Sequence, residues 1–448
     1  MPALDLSSPQ RIHVVGVGGA AMSAIARILS ALGHHVSGSD ANETPYLRGL
    51  AELGVRVTIG YDAANIDGAD LLAVQSALRD NPEVEAARAA GIPMVGRPEV
   101  QGAIAQLRRS IAVAGTHGKT STSAMLALAL RDAGLDPSFI VGGIIGGIGT
   151  SSHWGDAELL VVEADESDGT FLRLGAHAVV VTNVEPDHLD HWGDFDALRA
   201  AFVDFVRAAP GPKVVCADDP GAVEVAATAG GCTTYGTSDG ADYRYADGVV
   251  HCPDGATVPL SMPIPGVHNK RNALAAFAMG DLLGADRDAL ASSLAAFPGV
   301  ARRWERRGEV DGITFVDSYD HLPGEVRAVL AAAREGDWRR IVCVFQPHRY
   351  TRTRDVHRDF ADAFVDADLL AVTDVYAAGQ DPIPGVTGKL VVDAVLDAHP
   401  WAHVAYLPAR PAQVAWLQHH LRPGDLCLTL GAGDLTTLPD EVMRARRG

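Results

Sequence analysis

Short β-branched runs alternate with Ala/Leu-rich stretches of helical character along nearly the whole chain. RIHVVGV, HHVSGSD, DLLAVQS, SIAVAGT, ELLVVEAD, HAVVVTNV, KVVCADD, RIVCVFQP, DLLAVTDVY and DLCLTLGAGD are continuous apolar runs rather than alternating ones. A strand written this way buries both faces, and strands separated by helices pair in parallel, so the chain is expected to be α/β with mainly parallel sheets. The alternation restarts at SIAVAGTHGKT and again at ITFVDSY, after FPGVARRWERRGEV. With 448 residues, the length fits about three domains of ordinary size. The restarts put them at 1–108, 109–300 and 301–448. Residues 231–266, rich in Gly, Asp, Pro and Thr with short alternating runs, read as an antiparallel edge or a subsidiary sheet in the second domain.

Composition narrows the partners. Hydrophobic residues make up 47% and charged ones 21%, enough for a core in every domain. Acidic residues outnumber basic ones 56 to 37, a formal charge of -19, which argues against nucleic acid or an anionic membrane as a partner. Only four of the 37 basic residues are lysines: Lys119, Lys213, Lys270 and Lys389. The five cysteines are scattered without a C-x-x-C pair, and the amino terminus lacks a basic region followed by an apolar one. A reducing cytoplasm is therefore expected.

Two glycine loops carry the first chemical signals. Strand IHVV runs into Gly16-Val17-Gly18-Gly19-Ala20-Ala21 and a helix, the strand-to-helix junction of a diphosphate-binding loop. A second strand ends at Ser39-Asp40, where an acid could hold a ribose hydroxyl. This pattern suits a dinucleotide or a nucleotide sugar equally, and a dehydrogenase is one reading of it. The second loop, Gly115-Thr116-His117-Gly118-Lys119-Thr120-Ser121, follows the strand SIAVA. It departs from the strict P-loop spacing, since the position five before Gly118 is Val113, yet it keeps the glycines, a lysine for phosphates and a hydroxyl for magnesium.

Carboxylates and imidazoles stand after the next two strands: Glu163, Asp165, Glu166 and Asp168 in EADESDGTF, and Asp187, His188, Asp190 and His191 in EPDHLDHWG. Strand carboxyl ends are where open α/β sheets bind ligands, and these side chains suit divalent metals. Alone, D-H-x-D-H would also suit a dinuclear phosphatase. Arginines cluster in ARRWERR and QPHRYTRTR, as grips for phosphate or carboxylate or as solvated surface.

Taken in order, GVGGAAMSAIA, GSD, DNPEVEAARAAGIP, GTHGKTST, EADESDGTF, TNVEPDHLDHWG, GVHNKRNALAA, FPGVARRWERRGE, DSYDHLPGEV and QPHRYTRT resemble the Mur amino-acid ligases. The likeness is strongest to the members that join L-alanine to the carboxylate of UDP-N-acetylmuramate in peptidoglycan precursor synthesis. It implies a Rossmann-like domain for the UDP-sugar, a P-loop ATPase-type central domain and a Rossmann-like carboxy-terminal domain that closes over the site. ATP and Mg2+ are the implied cofactors, UDP-N-acetylmuramate and L-alanine the implied substrates, and a monomer or homodimer the implied assembly. Gly16, Gly18, Gly19, Ala20, Ser39, Asp40, Ser76 and His188 would hold the UDP-sugar. Gly115, Thr116, His117, Gly118, Lys119, Thr120, Ser121, Asn269, Asn272, Arg303 and Asp317 would hold ATP, with Asn269 and Asn272 at the adenine and Arg303 at the γ-phosphate. Thr120, Glu163 and His188 would bind magnesium, while Lys119, Arg303, His321, Arg349 and Arg352 would be catalytic. Some relatives bridge their metals with a carbamylated lysine shortly after D-H-x-D, but no lysine lies between Lys119 and Lys213. Within Asp317–Glu325 the chain departs from the family pattern at Asp320 and Leu322, beside the implied amino-acid site. The rival readings are a recycling ligase that attaches a peptide to the same sugar and a weakly catalytic nucleotide-sugar-binding protein.

Overall fold

A computed structural model describes residues 4–75 and 80–447. Three sheets follow one another along the chain. The first contains β1 (Arg11–Val15), β2 (His35–Asp40), β3 (Arg56–Ile59), β4 (Leu71–Val74) and β5 (Met94–Gly96) in the order β3-β2-β1-β4-β5, all parallel. The second holds β6 (Arg109–Ala114), β7 (Ser138–Ile145), β8 (Thr150–His153), β9 (Leu159–Glu163), β10 (Ala178–Val181), β11 (Lys213–Cys216), β12 (Thr233–Gly236), β13 (Tyr243–Ala246), β14 (Val249–His251) and β15 (Thr257–Pro259). Their order is β15-β14-β13-β12-β11-β10-β6-β9-β7-β8. The third has β16 (Glu305–Val310), β17 (Ile313–Ser318), β18 (Arg340–Phe345), β19 (Leu369–Val372), β20 (Val404–Tyr406) and β21 (Asp425–Leu430), in the order β16-β17-β21-β18-β19-β20. With helices between the strands, this is the α/β architecture expected from the continuous apolar runs.

The chain divides into two compact units. One holds residues 1–263 and 270–298, with the first two sheets, and the other holds 264–269 and 299–448, with the third. In the first unit the helix Ala20–Ala31 packs on β7 and β8. In the second, alternate strand residues enter opposite layers. Ile341, Cys343, Phe345, Leu426, Leu428 and Leu430 join one buried cluster, whereas Val342, Val344 and Cys427 join the other. Helices cover both faces, so no position in β18 or β21 can be polar without a partner. Among the described residues no helix is long and apolar enough to cross a membrane.

Two details differ from the pattern read in the sequence. The third sheet begins one strand before ITFVDSY: ERRGEV forms β16, antiparallel to β17. Its residues are half-buried or exposed, as an edge strand allows, so its charges masked it. The glycine-rich FIVGGIIGG segment forms an antiparallel hairpin, β7 with β8, beside the parallel strands. The antiparallel edge expected in 231–266 is present from β13 to β15, while β12 itself is parallel to β11.

Candidate active site

Strand order sets the first constellation. β6 lies between β9 and β10 and runs parallel to both, so the three loops that leave their carboxyl ends converge on one edge of the second sheet. The loop after β6 is held from the β10 side. The Thr182 hydroxyl and Asn183 amide donate to the His117 carbonyl, the His117 amide donates to Asn183 Oδ1 at 2.7 Å, and the Glu185 amide donates to the Thr116 hydroxyl at 2.9 Å. Gly115 and Gly118 both have positive φ. A Cβ on Gly115 would collide with the Thr182 hydroxyl, and one on Gly118 would lie 2.7 Å from Asn272 Oδ1. The loop is therefore closed to side chains at both glycines, and the helix Lys119–Asp132 starts directly behind it.

Lys119 folds back under this loop. Its ammonium donates to the carbonyl of Gly115 at 2.6 Å and to Glu166 Oε1 at 2.8 Å. Burial acts to lower the lysine's pKa, but Glu166, Asp165 and Glu163 outweigh it and hold the ammonium charged. Burial raises the Glu166 carboxyl, with Lys119 pulling the other way, and its second oxygen, Oε2, is buried without a hydrogen bond. The Thr120 hydroxyl lies 3.1 Å from Glu163 Oε1, whose other oxygen accepts from the Gly142 amide at 2.7 Å. A hydroxyl, a carboxylate and an orphaned carboxylate oxygen thus gather beside the phosphate-type loop. His188 stands on the β10 loop at φ 53° with its Nε2 3.4 Å from Asp187.

The first loop is built differently. The Gly16 and Val17 amides donate to the Ser39 carbonyl, and the Gly18 amide donates to Asp40 Oδ2 at 2.9 Å. A Cβ on Gly18 would lie 2.7 Å from that same oxygen. Asp40 thus ties the loop to the end of β2. Ser39 is fully buried and its hydroxyl donates to Glu83 Oε2 at 2.5 Å, within a network of His13, Asn65 and the Asp62 amide. Ala20 begins the helix behind the loop.

In the second unit a further cluster lies at the carboxyl ends of β17, β18 and β21. Asp317 is buried and accepts from the hydroxyls of Thr429 and Thr436, with Arg302 Nε at 3.6 Å. The guanidinium groups of Arg302 and Arg303 lie over the Tyr319 ring, 4.9 and 5.2 Å from its centroid. Asp320 accepts from the Ser318 hydroxyl, and burial together with Glu325 pushes its carboxyl up to about 6, against the pull of Arg303. Glu325 accepts from the amides of His321 and Leu322. Burial lowers His321 to about 4, and burial with the neighbouring His321 and Arg352 lowers His348 to about 3. Arg352 Nη1 donates to His348 Nδ1 at 3.2 Å, and Arg349 opens its helix at φ 68° with its amide on the Tyr376 carbonyl. Asn269 donates its side-chain amide to the Pro265 carbonyl at 2.7 Å.

Three family models match the chain: the Mur ligase family catalytic domain over residues 11–109, the Mur ligase middle domain over 113–280 and the Mur ligase, glutamate ligase domain over 302–433. The chain belongs to the Mur ligase family. A protein from Anaeromyxobacter dehalogenans named UDP-N-acetylmuramate--L-alanine ligase is 45% identical, covering 98% of this chain and 99% of that one. A Myxococcus xanthus protein of the same name is 43% identical over 98% of this chain and 95% of its own. Among solved structures, UDP-N-acetylmuramate-alanine ligase MurC from Thermotoga maritima superposes with a TM-score of 0.82 at 28% identity, covering 98% of this chain and 99% of that one. A murein peptide ligase from Psychrobacter arcticus gives 0.72 at 26%, covering 98% of both chains.

Within this Mur ligase the expected ATP residues of the first unit, Gly115 to Ser121, gather with Glu163 and Asn272 on one sheet edge. Gly16, Gly18, Gly19, Ala20, Ser39 and Asp40 form the other loop. Asp317, Arg303, His321, Arg349 and Arg352 belong to the second unit's cluster. Ser76 and the side chain of Asp190 lie outside the described residues. Sequence reasoning missed several participants. Thr182, Asn183 and Glu185 lie in TNVEPDHLDH, whose aspartates and histidines carry the stronger chemical signal. Tyr319, Glu325 and His348 lie inside quoted motifs, but only the fold sets the Tyr319 ring under Arg302 and Arg303 and brings His348 to His321. Arg97 and Gln101 reach the acidic loop from a helix of the first domain and carry no local signal beyond an arginine immediately after a strand end.

Proposed function

We propose that this Mur ligase joins L-alanine to the carboxylate of UDP-N-acetylmuramate with hydrolysis of ATP, in the cytoplasm, as a step in peptidoglycan precursor synthesis. The observation that carries the reading is the glycine-bounded loop with Lys119, Thr120 and Glu163 on one sheet edge, in a chain alike end to end to ligases of that name.

The chemistry is set by charge. A carboxylate attacking the γ-phosphate is one anion meeting another, so catalysis is mainly positioning and electrostatic stabilisation. The loop amides and Lys119 are assigned to the triphosphate, and in this role the lysine exchanges the Gly115 carbonyl for phosphate oxygen. Arg303 is assigned to the γ-phosphate, Asp317 to the nucleotide, and Asn269 and Asn272 to the adenine. The Thr120 hydroxyl and Glu163 carboxylate are hard oxygen donors suited to magnesium, which takes one or two carboxylates alongside substrate phosphates. His188 is assigned to a second ion. Bound magnesium supplies charge neutralisation at the transferring phosphoryl group. The acyl phosphate formed is attacked by the amine of L-alanine, and the tetrahedral intermediate collapses to amide and phosphate. His321, Arg349 and Arg352 are assigned to the sugar substrate and the incoming amino acid, whose carboxylate suits a guanidinium.

The test is phosphate release from ATP with UDP-N-acetylmuramate, comparing L-alanine, glycine, L-serine and a muramyl-type tripeptide. L-Alanine is expected to give the highest kcat/KM. Preference for the tripeptide would move the chain to the recycling reaction, and no release with any acceptor would reject a ligase.

A further inference from the structure

The helix Arg97–Gln106, which follows β5 of the first sheet, lies against the acidic turn of the second. Arg97 Nη2 donates to Asp168 Oδ2 at 2.7 Å and to Asp165 Oδ2 at 3.1 Å. Its side chain is 18% exposed, and those of its partners 31% and 35%. Between these two aspartates in sequence stands Glu166, the buried partner of Lys119. Four carboxylates therefore crowd the end of β9, and Lys119 with Arg97 are the cations paired to three of them.

The helix does not need Arg97 to stay in place. Gln101 donates to the Glu163 carbonyl at 3.1 Å, Glu99 pairs with Arg173, and Gly102 lies so close to the Arg173 carbonyl that a Cβ there would be 3.0 Å from it. What Arg97 adds is charge. Without it, Asp168 and Asp165, the latter already acting on the Lys119 ammonium, lose their guanidinium partner, and like charges at short range in a half-buried site repel strongly.

The geometry points to Arg97 as a positioning residue for nucleotide binding: by neutralising Asp165 and Asp168 it keeps the edge of the second sheet receptive to triphosphate, an electrostatic support supplied by the first domain. This rests on the reading that ATP occupies the loop at Lys119. Two consequences separate the role from a merely structural one. The loss should fall on nucleotide affinity rather than on the UDP-sugar, and removing a negative charge should repair the removal of the positive one.

The experiment measures binding of MgATP and, separately, of UDP by calorimetry to the full chain, its Arg97→Lys and Arg97→Met variants, and the double variant Arg97→Met/Asp168→Asn, with melting curves for each. Arg97→Met is expected to weaken MgATP about tenfold, Arg97→Lys less than about threefold, and the double variant to recover to within about threefold of the unaltered chain. UDP affinity should move less than about threefold throughout. Unchanged MgATP affinity in Arg97→Met overturns the inference, as does failure of Asp168→Asn to restore it in a variant that melts like the parent. A parent chain that binds MgATP but releases no phosphate with sugar and amino acid rejects the proposed reaction while these comparisons still decide the role of Arg97. A parent that binds no MgATP overturns both.

Discussion

Lys119 is held by two loop carbonyls and one buried carboxylate, so its charge is maintained before any ligand arrives. Replacement by alanine removes this ammonium while leaving the first glycine loop untouched. Lys119→Ala is expected to abolish turnover and to leave UDP-sugar affinity within about twofold, since the two loops belong to different sheets. Equal loss of both would deny the division of labour. Asp320 offers a second residue-scale prediction. Its carboxyl is raised in the folded chain from an ordinary 3.8 to about 6, so the folded state binds the proton more tightly than the unfolded one. Stability from this group is present at low pH and is lost as pH rises from about 4 through 6. Asp320→Asn should therefore match the parent near pH 4 and exceed it by about 1 kcal/mol at pH 7.5, after allowance for partial exposure, in urea melts at the two pH values. A variant weakened equally at both would show that Asp320 is held by contacts that outweigh its charge.

At the scale of elements, the parts legible in the sequence are those whose physics is local. Buried parallel strands such as SIAVA and HAVVV announce themselves by continuous apolar runs, and the loops after them by glycine next to lysine or to acids. Elements whose stability comes from distant partners were less visible. β16 carries charges that only an edge position tolerates, and the β7–β8 hairpin hides in glycines. The same limit applied to the site: Arg97 meets Asp165 and Asp168 across 68 and 71 residues, and His348 meets His321 only because β18 and β17 flank β21. Ser39 and Asp40 were legible as the strand end facing the first loop, but not as its fasteners. That fastening predicts that Gly18→Ala, which places a Cβ 2.7 Å from Asp40 Oδ2, weakens UDP binding about tenfold or more and leaves MgATP binding unchanged. Normal UDP affinity in this variant would mean the loop can shift without cost.

For the whole molecule, a chain with a formal charge of -19 handles anionic substrates by confining positive charge to a few places, among them Lys119 behind its glycine loop and the arginines of the second unit. These places serve one reaction only if ATP, sugar carboxylate and amine react in sequence through an acyl phosphate. The direct test is to run the reaction with UDP-N-acetylmuramate carrying oxygen-18 in its carboxylate and to analyse the released phosphate by mass spectrometry. The account predicts one labelled oxygen in phosphate per amide formed. Phosphate without label, at the same yield of amide, would contradict it.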